Sequence, residues 1–353
     1  MHSSSSERRA DTAPAPIVSV IIATLNRYPS LLRLLRQIER QTLPYDRFEV
    51  VVVDDGSTVP VAGPLAAEQL PYRVVVLRSE RSGAASARHR GIEHAAGEIV
   101  VVLDDDIQIE RDFLTQHLAH HPTGSRNAVL GWIRADPAME MPIFERFHAD
   151  VLERFAADVR AGRLTLHGTH LATANVSFRR ADYFAVGGFD LALQRSEDAE
   201  LGVRLEKAGV TLRFAEGAAV IHSSDHTSLA AWLRRAFLYG VYDLQIAAKH
   251  RDVPGANPWR YLWAVHPASR LVLVASVIAP SLMHLVSRTG MRLASAIDRL
   301  GACRAAITAT TVVYGIEYFR GVRHGSGSLR GAIAGWRRYA SARLAVVVSG
   351  DGC

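Results

Sequence analysis

The chain has 353 residues, 48% of them hydrophobic and 22% charged, with a net charge of +6. That size and composition allow a full core and two structural units, and they exclude a disordered chain. The two cysteines, Cys303 and Cys353, fit neither a metal nor a disulfide spacing, so a reducing compartment is the default. Charge is unevenly placed: residues 1–228 hold 25 Lys and Arg against 30 Asp and Glu, while residues 229–353 hold 16 against 5, a net +11. A basic last third points to nucleic acid, an anionic membrane surface or an acidic partner. No helix-turn-helix, zinc finger or aromatic RNA-binding signature is present, which turns the reading away from nucleic acid.

The first sixteen residues, MHSSSSERRADTAPAP, lack an apolar h-region and read as a disordered leader, not a signal peptide. IVSVIIATL (17–25) is a near-continuous β-branched run, the pattern of a strand buried on both faces of a parallel sheet. SLLRLLRQIERQ (30–41) places Leu31, Leu34, Leu35 and Ile38 on one helical face, with Ser30 as cap. FEVVVVDDGS (48–57) and YRVVVLRS (72–79) are the next strands, GAASARHRGIEHAA (83–96) a helix, and GEIVVVLDDD (97–106) a fourth strand. Strand and helix alternate at short spacing, which predicts an α/β fold: an open, mostly parallel twisted sheet flanked by helices.

In such sheets ligands bind at the carboxyl ends of the strands. The polar groups fall at that end: ATLNR after the first strand, DDGS after the second, DDD after the fourth. Asp104, Asp105 and Asp106 repel one another and burial raises the cost, so a positive partner or solvent has to offset them. A carboxylate cluster at one strand end suits a hard divalent cation, Mg²⁺ or Mn²⁺, and Mg²⁺ in particular takes one or two carboxylates plus phosphate oxygens. DDGS suits either the base and ribose of a nucleotide or an ordinary tight turn. Arg88 lies on the helix after a glycine-containing loop, and its planar fork suits phosphate. That loop does not fit the P-loop pattern.

VSVIIATLNR, EVVVVDDGS, SGAASARHRGIEHAAGEIVVVLDDD, ATANVSFRRADYFAVGGFD and SEDAELGVRLEKAG stand in the order seen in family 2 glycosyltransferases of the GT-A fold, which residues 16–228 resemble. The resemblance implies a nucleotide-diphosphate sugar donor, a divalent metal held by a DXD-like triplet, and transfer with inversion at the anomeric carbon. Carried over by position, Thr24, Arg27, Asp54 and Asp55 look like nucleoside-binding residues and Arg88 like the arginine near the nucleotide. Asp106 looks like the first metal ligand, Asp104 meets ribose, and Asp105 is the variable middle position. His222 stands where a further metal ligand is found. Asp198, with Glu197 second, matches the general base for the acceptor hydroxyl; the pair also suits a helix N-terminal cap. The chain departs from the family at His89, where asparagine is usual, at Ala23, where proline is usual, and in lacking the Q-R-R-W acceptor motif. Trp232, Arg234 and Arg235 stand there instead, which favours single-sugar transfer over processive synthesis.

These readings divide the chain into a leader (1–16), a GT-A catalytic domain (17–228) and a basic α-helical C-terminal extension (229–353). Within the last, residues 271–287 are uncharged with Pro280 in the middle, just short of the roughly twenty apolar residues a spanning helix needs. Residues 305–316 are a shorter apolar run. Arginines flank both, so a hairpin on an anionic bilayer and a soluble helical cap both remain open. The expected setting is cytoplasmic, peripheral on the inner face of the cell membrane, in lipid-linked glycan or polysaccharide assembly. Transfer to polyprenyl phosphate and a non-catalytic nucleotide-sugar-binding module are the alternatives.

Overall fold

The computed structural model describes residues 15–222 and 228–349, so all but two residues of the expected leader, and Cys353, lie outside it. In chain order the elements are β1 (Val18–Thr24), α1 (Tyr28–Ile38), β2 (Phe48–Asp54), α2 (Ala62–Ala66), β3 (Arg73–Arg78), α3 (Ala84–His94), β4 (Ile99–Leu103), β5 (Ile107–Ile109), α4 (Phe113–Ala119), β6 (Asn127–Ala135), α5 (Ile143–Arg160), β7 (Asn175–Arg179), α6 (Arg180–Ala185), α7 (Glu197–Lys207) and β8 (Thr211–His222). Helices then follow: α8 (Leu229–Lys249), α9 (Tyr261–Ala264), α10 (Pro267–Ile278), α11 (Pro280–Arg299), α12 (Cys303–Gly325) and α13 (Leu329–Ser349). The described chain forms two compact units, one of residues up to 132 with 173–188 and 209–220, the other of 133–172, 189–208 and 221 onward.

The first unit is built on an eight-stranded sheet of order β3-β2-β1-β4-β7-β6-β8-β5. β1 pairs in parallel with β2 and β4, and β2 with β3. β7 runs antiparallel to both β4 and β6. β2 and β4 are buried along their whole length, as their unbroken β-branched runs require. α1 buries Leu31, Leu34, Leu35 and Ile38, the stripe read from its spacing. α3 lies close because Gly91 has no side chain: a Cβ there would stand 2.6 Å from Ile21 Cγ2 and 3.1 Å from Val53 Cγ2. This approach sets the height of Arg88 above the sheet.

Beneath the sheet's antiparallel half runs a buried polar chain. His117 on α4 meets Asn175 Oδ1 with Nε2 at 2.9 Å and Ser177 Oγ with Nδ1 at 2.9 Å, and His121 Nε2 reaches the same Oγ at 2.8 Å. Asn175 Nδ2 donates to Ala218 O at 2.8 Å. One proton arrangement accounts for these four bonds: His117 donates from Nε2, accepts the Ser177 hydroxyl proton at Nδ1, and Ser177 Oγ accepts from His121, with both rings neutral. Burial accordingly pushes His117 down to about 3 and His121 to about 4. The unfolded chain takes up these protons first, near pH 6.5. Stability from the neutral rings is therefore complete above about pH 6.5 and is lost as pH falls toward the folded values, by about 1.4 kcal/mol per ring per pH unit. Thermal melts between pH 7 and 5 should show His117→Gln with a lower Tm at pH 7 but a shallower acid decline than wild type. Parallel declines would overturn this account.

The second unit is helical. α8 and α12 cross at backbone distance: a Cβ on Gly240 would lie 1.9 Å from Tyr318 O. Trp232, which the sequence offered on the acceptor side, is wholly buried and packs among Phe144, Phe147, His148 and Tyr314 at ring separations of 5.4–6.0 Å. It is a core residue, because its place on α8 faces the helical cluster rather than solvent. The apolar run over 271–287 is two helices: α10 ends at Ile278 and Pro280 opens α11, where its missing N–H costs nothing. No helix among the described residues is long and apolar enough to cross a membrane.

Candidate active site

The parallel register brings the polar strand ends to one edge: Thr24 lies opposite Asp54, and Asp54 opposite Arg78. β4 stops at Leu103, so the aspartate triplet stands in the loop just past its strand. The turn after β1 needs Asn26 in the left-handed region (φ 57°), a conformation that asparagine tolerates. Asn26 N–H donates to Ser57 Oγ at 2.9 Å, and its Oδ1 accepts from Thr58 N–H at 2.8 Å, locking the loops after β1 and β2 together.

The cations that offset three adjacent carboxylates come from neighbouring helices and turns. Arg88 Nη2 meets Asp104 Oδ1 at 2.6 Å. Arg27 Nη1 meets Asp106 Oδ2 at 2.6 Å and Asp105 Oδ1 at 3.3 Å. Thr24 Oγ1 donates to Asp105 Oδ2 at 2.6 Å. Burial pushes the Asp105 carboxyl up to about 6, against the lowering effect of Thr24 and Arg27. The middle aspartate, the variable position of the triplet, thus ties the end of β1 to it.

The two aspartates at the end of β2, Asp54 its last residue and Asp55 the next, are equally engaged. Asp54 Oδ1 accepts from Ser57 N–H at 2.8 Å, and Oδ2 accepts from Val61 N–H at 3.2 Å and Arg78 Nη1 at 2.7 Å. Burial raises the Asp54 carboxyl, but bonds from Ser57, Val61 and Arg78 outweigh it and hold the group below its ordinary range. Asp55 Oδ1 accepts from Ser82 N–H and Oγ–H at 2.7 and 3.0 Å, and Oδ2 from Gly83 N–H at 2.9 Å, fixing the start of α3.

Asp104, Asp106 and His222, the last residue of β8, each offer a ligand atom, and these atoms lie within 4.8 Å of one another. Two carboxylates and an imidazole fit a divalent cation; the oxygens suit Mg²⁺ or Mn²⁺, and the nitrogen is a donor that Mg²⁺ accepts less readily. Asp104, expected at the ribose, thus stands in one group with the two residues expected as ligands.

Glu197 and Asp198 form the first turn of α7, half-buried, with Glu200 one turn on. Acidic groups here are favoured by the helix dipole. Asp198 Oδ1 accepts from Ala199 N–H at 2.8 Å. Ser196, just before the pair, is left-handed (φ 59°) and donates from Oγ to Asp243 Oδ1 at 2.7 Å. Tyr318 OH donates to Asp243 Oδ2 at 2.6 Å. Asp243, on α8, is thus the support of the SED turn that sequence reasoning missed; nothing in the sequence links positions 47 residues apart. His89, at the position where the family motif usually has asparagine, bonds Tyr183 OH through Nδ1 at 2.6 Å.

Residues 19–184 match the family model described as glycosyl transferase family 2. Validoxylamine A glucosyltransferase of Streptomyces hygroscopicus subsp. jinggangensis is 30% identical over 227 residues, 57% of this chain and 54% of that one. The pre-mycofactocin glycosyltransferase of Mycobacterium tuberculosis is 29% identical over 240 residues, 67% of this chain and 48% of that one. The chain therefore spans about half the length of these curated relatives. Among solved structures, the mannosyltransferase PcManGT from Pyrobaculum calidifontis, in complex with GDP-Man and Mn2+, superposes with a TM-score of 0.58 at 23% identity, covering 85% of this chain and 87% of that one. The likeness is one of fold, of the GT-A kind.

Proposed function

We propose that this chain, whose residues 19–184 are a family 2 glycosyltransferase domain, moves one sugar from a nucleotide-diphosphate sugar to a hydroxyl acceptor with inversion. The carrying observation is the Asp104, Asp106 and His222 group at the strand-end edge, with Arg27 and Arg88 at 2.6 Å from its carboxylates. A bound Mg²⁺ or Mn²⁺ would neutralise the leaving diphosphate, so no protein acid has to protonate it. Asp104, Asp106 and His222 would hold it. Arg27 and Arg88 add guanidinium charge beside the same carboxylates, where diphosphate oxygens are to be received. The loop held by Asp54 and Asp55 receives the nucleoside. Asp198 takes the proton of the acceptor hydroxyl as its oxygen bonds the anomeric carbon; the bond from that carbon to the diphosphate breaks, its electron pair leaving with the diphosphate. The net +11 charge of the helical extension supports a lipid-linked acceptor on the inner face of the cell membrane. With polyprenyl phosphate as acceptor the nucleophile is already an anion, and Asp198 matters little.

The relatives' names support sugar transfer, and the bound GDP-Man and Mn2+ of the solved mannosyltransferase support the donor and cation classes. The test is a panel of UDP-, GDP- and dTDP-sugars, with retention read by mass spectrometry and diphosphate release read with acceptors, each with Mg²⁺, Mn²⁺ or chelator. Retention of one donor class, with release that chelator abolishes, is the expected result. Retention without release from any acceptor would make the chain a binding module, and no retention would overturn the proposal.

A further inference from the structure

α11 carries apolar side chains on two opposite sides. At about 100° per residue, the buried Met283, Ser287, Met291 and Ala294 fall in one sector of roughly 80°. Leu282, Leu285, Val286 and Leu293 fall in the opposite sector, about 100° wide, and are 61%, 61%, 38% and 61% exposed. Leu300, just past the helix and 85% exposed, continues that line. Thr289 lies within it, yet its hydroxyl donates back to Leu285 O at 3.1 Å and Val286 O at 3.0 Å, which leaves its methyl group to the surface. A helix on a water-facing surface has no reason to keep such an outer stripe.

Arginines edge this stripe. Arg288, Arg292 and Arg299 lie within about 40° of one another along one flank. They are exposed or at the surface, and none has an ion-pair or hydrogen-bond partner among the described residues. The one acid on α11, Asp298, is paired with Arg146. α10 shows the same exposure at Leu271, Val274 and Ile278, and Arg270 at its start lies 5.1 Å over the ring of Trp263.

We propose that the outer face of α11 lies in the headgroup–acyl boundary of an anionic lipid leaflet, with Leu282, Leu285, Val286 and Leu293 in the acyl layer and Arg288, Arg292 and Arg299 on the phosphates. Charge decides the occupant. A second copy would bring the same unpaired arginines together, with no exposed acid on α11 to meet them, whereas an anionic leaflet supplies phosphate to every one. An outer apolar face beside a cationic flank is the arrangement of an in-plane interfacial helix, which needs no spanning length. The inference rests on the reading that the basic extension meets an anionic membrane, and it is independent of transfer chemistry.

The test is co-sedimentation of the full chain with phosphatidylglycerol–phosphatidylcholine vesicles at low and high salt. Wild type should bind and be released only partly by salt, because apolar burial is not screened. The pair Leu282→Ser and Leu285→Ser leaves charge unchanged and, at exposed sites, leaves the fold; it should weaken binding by about tenfold and make the remainder salt-labile. Arg288→Gln, Arg292→Gln and Arg299→Gln together should cost about 100-fold at low salt and little at high salt. A wild-type chain that ignores vesicles at low salt, or forms a dimer instead of binding them, overturns the membrane reading itself. Wild-type binding that the leucine pair leaves untouched overturns only the assignment to this face.

Discussion

Replacing Asp198 with asparagine is expected to lower kcat by about 10²–10⁴ and to leave donor affinity in place. The substitution keeps the size of the side chain, and an asparagine Oδ1 still accepts the Ala199 N–H that Asp198 accepts at 2.8 Å. The turn before it is set elsewhere, by Ser196 bonded to Asp243, so α7 should start as before. What disappears is the carboxylate to which the proposal gives the proton of the acceptor hydroxyl. Glu197→Gln, one residue earlier in the same turn, should change kcat by far less. Initial-rate kinetics with diphosphate release as the readout, and calorimetry for donor affinity, separate the two effects. Normal turnover by Asp198→Asn alongside a failing Glu197→Gln would move the base to Glu197. Normal turnover by both would favour an acceptor that is already an anion, such as a polyprenyl phosphate.

The parallel half of the sheet was legible because its signals are local. β1, β2 and β4 are runs of β-branched residues buried on both faces, and α1 shows its buried stripe in the spacing of Leu31, Leu34, Leu35 and Ile38. Their ends were read too long, since Asp55, Gly56 and Ser57 after β2 and the DDD triplet after β4 belong to loops that begin where the strands stop pairing. The antiparallel half was not read from periodicity. β5 has three residues, and β8 alternates exposed and buried positions with Gly217 and Ala218 in its middle. Which strand each of these pairs with is set by distant partners that no window of sequence contains.

The site divides in the same way. Its strand-end residues stood out in the sequence because each follows its own apolar run. Their partners did not: Arg88 to Asp104 spans 16 positions, Arg27 to Asp106 spans 79, and Asp243 to Ser196 spans 47. Asn175 lay inside the quoted ATANVSF motif without a role, because its bonds to His117 and Ala218 exist only once α4, β7 and β8 are assembled. Trp232 is a related case. The sequence shows it only as standing where the acceptor motif is usual, and the packing of Phe147 and Tyr314 around it makes it a core position.

Asp106→Ala should fold and lose metal-supported donor binding, by about 100-fold or more in affinity. The side chain is 6% exposed, and Arg27, which it pairs with at 2.6 Å, is 37% exposed and keeps Asp105 within 3.3 Å. Solvent and Asp105 can therefore take up that guanidinium, and thermal stability should fall only modestly. The cation group, in contrast, drops from two carboxylates and an imidazole to one of each, with Asp104 already bonded to Arg88 at 2.6 Å. One carboxylate and one imidazole hold Mg²⁺ or Mn²⁺ poorly, and the diphosphate charge is then left uncompensated. Calorimetric titration of the cognate donor, with and without chelator, gives the readout: wild type should lose affinity on chelation, and the variant should bind weakly in both conditions. A variant with wild-type affinity and wild-type sensitivity to chelator would remove Asp106 from the metal set and leave the triplet a structural anchor for Arg27 and Arg88.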